Sequence, residues 1–228
     1  MSNKTARDEI LASIRSGAAS ARAPSGADSP PDGAPVADSG DQERMDRETL
    51  IADFMRYAAE EAATSERVAG PADIPGAVVR YLRAHDLPLR AIAAGEVVAG
   101  GPDWSATPDL DIARGPLRPD GDTVVTGCFA GLAEAGAVVT VSSDGYPNEV
   151  HFLAATHIVV VPADRIVVEY EAFWSVVEKQ FGADLPRSIN WIVGPSRTAD
   201  LGVPSKLGAH GPARLHLIIM DKGENDQT

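Results

Sequence analysis

The run His157-Ile-Val-Val-Val-Pro162 constrains the fold more than any other stretch of this chain. It is continuously apolar and rich in β-branched residues, with no alternation of polar and apolar positions. Such a run is a strand covered on both faces, the kind found in parallel sheets flanked by helices. Further strands are expected at Arg67–Ala69, Arg90–Ala94, Thr123–Gly127, Ala137–Val141, Ile189–Val193 and Leu215–Met220, with a short edge or bend at Ile166–Val168. Between them lie stretches with helical spacing. Leu50, Ile51, Phe54, Met55 and Tyr57 mark a helix over about residues 44–64, and Val78, Val79, Tyr81 and Leu82 mark one over Ile74–His85. A third helix, Glu171–Phe181, is expected to turn Phe173, Trp174, Val176 and Val177 inward, and the small residues of Cys128–Ala135 suggest a fourth. Strands alternating with helices define an α/β fold with an open, mostly parallel or mixed sheet.

The N-terminal part has another character. Residues 1–16 read as a short charged helix with Ile10, Leu11 and Ile14 at helical spacing. Residues 17–43 are dominated by Ala, Ser, Gly, Pro and Asp, with Pro24, Pro30, Pro31 and Pro35 blocking helix. Too little apolar surface is present there to offset the ordering entropy, so a flexible linker is expected. The α/β domain then covers 44–220, and 221–228 is a polar tail.

Charge and sulfur content narrow the chemistry. The net charge of −13 repels phosphate backbones and anionic lipid, which argues against nucleic acid and membrane surfaces as partners. No run of about 18 apolar residues exists for a membrane span, and the charged N-terminus lacks the apolar centre of a secretory signal. A cytoplasmic location is expected. Cys128 is the single cysteine, so this chain supplies neither an intrachain disulfide nor a four-thiolate metal or iron–sulfur site. No resident cofactor or metal is expected, and iron–sulfur electron transfer would have to occur on a partner.

Gly194-Pro-Ser-Arg-Thr-Ala-Asp200 follows an apolar strand and gathers two hydroxyls and a guanidinium behind a tight exit. Ligands in open α/β sheets tend to sit beyond the carboxyl ends of strands, and a guanidinium suits carboxylate or phosphate oxygens. Gly194, Ser196, Arg197, Thr198 and Asp200 are therefore anion-binding candidates; the competing reading is a helix cap with Arg197 paired to an acid. Gly208-Ala-His-Gly-Pro212 adds His210 and Gly211, with His210 either a base or anion donor, or a turn histidine satisfying carbonyls. Glu134, at a helix-to-strand turn, and His157, six residues after His151 and read with it on one strand face, are weaker candidates. A third metal ligand near the histidines cannot be named. No HExxH, Walker A, CxxC or GxSxG pattern is present.

The series GCFAGLAEAGAVVTVS, THIVVVPADRIV, WIVGPSRTADLG and LGAHGPARLHLIIM resembles the LUD domain of the lactate utilization protein C family. The likeness extends over about residues 45–220 and is strongest after Thr123. It implies a fold similar to the sugar-phosphate isomerase, CoA transferase and formyltetrahydrofolate cyclo-ligase group. It also implies an accessory role beside iron–sulfur proteins that oxidise L-lactate to pyruvate. The family's loops map onto Gly194, Ser196, Arg197, Thr198 and Asp200, and onto His210, Gly211 and Pro212. Two departures stand out. Glu134-Ala-Gly-Ala137 replaces a Glu-Thr-Gly-Thr, and Leu201-Gly202 replaces an Ile-Glu after the aspartate. Besides the accessory role, the resemblance leaves open a small-molecule enzyme that binds a phosphate or organic acid through Arg197.

Overall fold

The computed structural model describes residues 46–94, 97, 101–113, 122–142, 149–198 and 206–221. The expected N-terminal helix, the linker and residues 222–228 of the tail lie outside them. So does Asp200.

A parallel sheet of six strands is the frame. Its order is β1 (Thr64–Val68), β12 (Arg214–Met220), β7 (Thr156–Pro162), β4 (Thr123–Thr126), β2 (Arg90–Ala93) and β3 (Asp111–Ala113). Every pairing is parallel, and β12 matches β7 along its whole length, Arg214 opposite Thr156 and Met220 opposite Pro162. The two most apolar strands of the sequence are thus central neighbours. Ile158, Val159, Val160, Val161, Leu217, Ile218 and Ile219 have no exposed surface, as strands covered on both faces require.

Alternate residues of these strands feed two cores. Ile158, Val160 and Ile218 face α2 (Ile74–Ala84), which contributes Ile74, Val78 and Leu82. Val159, Val161, Leu217 and Ile219 face α1 (Arg47–Glu60), through Leu50, Ile51 and Phe54. Each of these fully buried side chains is worth about 1.5–3 kcal/mol relative to exposure. α1 is shorter than the apolar spacing suggested, since Ala62 at φ 64° turns the chain into β1, and α2 ends one residue before His85, with Asp86 at φ 52° turning the chain away.

A second sheet, absent from the sequence reading, lies on the α1 side. Its order is β8 (Ile166–Val167), β5 (Ala130–Leu132), β6 (Ala137–Val141) and β9 (Ile189–Ile192). β5 and β6 form an antiparallel hairpin, β9 pairs antiparallel with β6, and β8 runs parallel to β5. Val138 and Ile166 of this sheet share the α1 core, so α1 is wedged between the two sheets. The outer face is covered by α4 (Tyr170–Phe181), through Ala172, Phe173 and Val177.

The helix expected over Cys128–Ala135 does not form. Ala130–Leu132 is β5 and Ala133–Ala135 a single 3₁₀ turn. Gly131 is the reason: a Cβ there would stand 3.1 Å from Ile166 and 3.3 Å from the Phe54 ring, so the backbone lies flat against them and pairs on both sides. Tertiary pairing overrides small-residue propensity. Trp174 is likewise not buried; it is 48% exposed, because α4 buries only the stripe at 172, 173 and 177. His151 is not on a strand with His157. It sits in the short helix α3 (Glu149–Leu153), which packs Val150 on Val124.

Candidate functional site

The two loops singled out in the sequence fold into one corner. Gly194 leaves β9 at φ 66°, and a Cβ there would lie 2.2 Å from the carbonyl oxygen of Glu61 at the end of α1. Only glycine fits that approach. The chain then reaches Ser196, where three hydrogen bonds meet. Ser196 N–H donates to Pro212 O (2.8 Å), Gly208 N–H donates to Ser196 O (3.0 Å), and His210 N–H donates to Ser196 Oγ (3.3 Å). Gly211 approaches so closely that an added Cβ would be 3.3 Å from the Ser196 Cβ. A two-residue hairpin, β10 (Arg197–Thr198) on β11 (Lys206–Leu207), closes the corner. Ser196 is therefore the knot that joins the loops.

Arg197 and His210 are both exposed, and Thr198 is half-buried. A guanidinium and an imidazole can each donate to a carboxylate or phosphate. The corner is not at the carboxyl end of the main sheet, as its position after a strand suggested. The preceding strand β9 belongs to the second sheet, and the loops run into the amino end of β12. There Ala213 N–H and Arg214 N–H donate to Ala155 O (2.9 and 3.3 Å), and Ala155 N–H donates to Asp122 O (3.1 Å). Arg90 pairs with the buried Asp122 carboxylate at 3.3 Å, fastening β2 to the same end.

The weaker candidates sit elsewhere. Glu134 accepts the Tyr170 N–H at 2.9 Å, where its carboxylate neutralises the amino end of α4. His157 is fully buried and its Nε2 meets Thr126 Oγ1 at 2.8 Å, with the His151 ring 5.4 Å away. Burial holds both imidazoles toward the neutral form: His151 falls to about 4, and His157 well below its ordinary value, the neighbouring His151 adding to the effect. Among the described residues no group of three or more His, Cys, Asp or Glu side chains is placed to hold a metal ion. No described helix is long and apolar enough to cross a membrane.

One polar group escaped the sequence reading. His216 is 4% exposed within β12, stacks on Tyr81 at 4.2 Å, bonds Thr64 through Nδ1 at 2.9 Å, and lies 3.8 Å from Glu66 through Nε2. The only sign of it in the sequence is a histidine interrupting the apolar run Leu215–Met220.

Comparison with known proteins places this corner in context. Residues 120–220 match the family described as LUD domain. Proteins called lactate utilization protein C from Geobacillus thermodenitrificans and Bacillus subtilis are 35% and 34% identical over 91 residues, 39% of this chain. The match spans only 38% of those relatives' length. A crystal structure of a DUF162 family protein from Deinococcus radiodurans superposes with a TM-score of 0.56 at 25% identity, over 77% of this chain and 99% of that one.

Proposed function

Residues 120–220 match the LUD domain family, and from that likeness we propose that the chain is an accessory component of L-lactate utilization. In this reading it works in the cytoplasm beside iron–sulfur proteins that oxidise lactate to pyruvate. The observation that carries the proposal is the coincidence of two things. The relatives that match are called lactate utilization protein C, and both loops tied at Ser196 fall inside the family segment. A single cysteine in the chain supports placing the redox centres on partners. The test is deletion of the gene and growth on L-lactate against pyruvate as sole carbon source. Loss of growth on lactate alone, restored by the intact gene, is expected. Normal growth on both, in a strain with no second lactate-oxidising system, rules the role out.

A second reading is an enzyme of the isomerase, CoA-transferase and cyclo-ligase fold that binds a small anion. The feature favouring it is the joint exposure of Arg197 and His210 around the Ser196 knot. Inorganic phosphate or L-lactate should then raise the melting temperature by mass action, and Arg197→Ala should remove the rise. An unchanged rise in the variant would place anion binding elsewhere.

A further inference from the structure

α4 carries an aromatic surface that is exposed among the described residues. Trp174 is 48% and Tyr170 40% exposed, and both lie against Trp191 of β9, ring centres 5.7 and 6.0 Å away. Phe173 supports the group from beneath at 5.2 Å from Trp191. Exposed tryptophan and tyrosine side by side on a packed floor are the usual anchors of protein interfaces. β9 is also the terminal strand of its sheet, so the patch stands at an edge rather than in the middle of a covered face.

Along α4 the charge beside the patch is one-sided. At 100° per residue, Glu178 and Glu171 fall within roughly 60° of Trp174 on the helix wheel, one turn to either side of it. Both are exposed. The Glu134 carboxylate joins them at the first turn, on the Tyr170 N–H. Lys179, the one cation of α4, falls about 140° away around the helix. An indole face flanked by carboxylates attracts a guanidinium or ammonium group twice over, through the ring's quadrupole and through ion pairing.

We infer that the Trp174–Tyr170–Trp191 surface, with Glu171 and Glu178, is a docking site for an arginine- or lysine-bearing segment of a partner protein. The cation sits over the Trp174 indole between the two carboxylates, and apolar neighbours in the segment cover Tyr170. The inference does not depend on lactate: the growth test above and the binding test below can fail separately.

The full chain, labelled with ¹⁵N, is titrated with the peptide acetyl-Arg-Leu-Arg-Leu-Arg-amide and with its glutamate counterpart. The basic peptide should shift the indole N–H signals of Trp174 and Trp191 and leave that of Trp104, which packs beside α2 in the other core, unmoved. Trp174→Ala and the double variant Glu171→Gln/Glu178→Gln should each weaken binding about fivefold to tenfold, the magnitude of a cation–π contact with its charge partners. The double variant changes only exposed side chains, so it decides the matter if Trp174→Ala disturbs α4. Shifts spread equally to Trp104, equal response to the glutamate peptide, or unchanged affinity in both variants would overturn the site. So would a dimer by sedimentation that Trp174→Ala dissolves without any peptide response, since the occupant would then be a second copy of this chain.

Discussion

Gly136 and Gly194 press on the same helix end from two different loops. Gly136 has φ 56°, and a Cβ there would lie 2.1 Å from the Ala58 nitrogen; Gly194 has φ 66° and would bring its Cβ 2.2 Å from Glu61 O. Both contacts are with backbone, which cannot step aside as a side chain can. Gly136→Ala and Gly194→Ala should therefore each cost roughly 3 kcal/mol or more, through left-handed strain plus overpacking. Urea denaturation checks this, and a loss below about 1 kcal/mol at either position would contradict the packing described. The buried imidazoles act at the same scale. His151 titrates near 4 when folded against 6.5 as its ordinary value, so between those pH values the unfolded chain binds more protons than the folded one. Stability is full above about pH 6.5 and falls as the pH drops toward 4, by roughly 3 kcal/mol at 1.36 kcal/mol per pH unit. His157 acts in the same direction. Urea midpoints measured from pH 7.5 to 4.5 should fall, and less steeply in His151→Gln.

At the level of elements, α4 shows how a helix is placed by something outside itself. No side chain of its own caps its first turn; Glu134, from the turn before β6, accepts the Tyr170 N–H instead. Glu134→Ala should lower stability by about 1 kcal/mol, the usual worth of an N-cap, while Glu134→Gln keeps an acceptor and loses less. Thermal melts separate the two. A glutamate before Gly136 is visible in the sequence as a turn acid, but the helix it serves lies 36 residues onward, and no local pattern reveals that. The Cys128–Ala135 segment makes the same point in reverse. Its small residues suit a close-packed helix, yet they form a strand because Ile166 and Phe54 leave room only for Gly131's bare backbone.

For the whole molecule, Cys128 is a reporter of global opening. It is buried in the α1 core, and burial pushes its thiol up to about 12 despite the nearby Arg165. Iodoacetamide at pH 7.5 should leave the native chain unlabelled and modify it in step with unfolding, since the thiolate is the reactive form. Rapid labelling of the native protein would mean that the α1 layer opens on its own. That layer joins the two sheets, so its behaviour decides whether the molecule unfolds as one unit.

Some of this was legible from residues alone. Uninterrupted β-branched runs identify doubly covered strands, helical spacing finds α1, α2 and α4, and one cysteine limits the sulfur chemistry, because each is a property of neighbours in sequence. The likeness to the LUD domain was legible too, in two short loops and the strands beside them. Three things were left to the tertiary structure: the second sheet around β5, the bonds that tie Ser196 to residues 208–212, and the exposure of Trp174. Each depends on which distant segment arrives beside it. Hydrogen-bond partners and close backbone approaches between segments distant in sequence leave no periodic trace in a chain, whereas the burial of a strand or a helix face does.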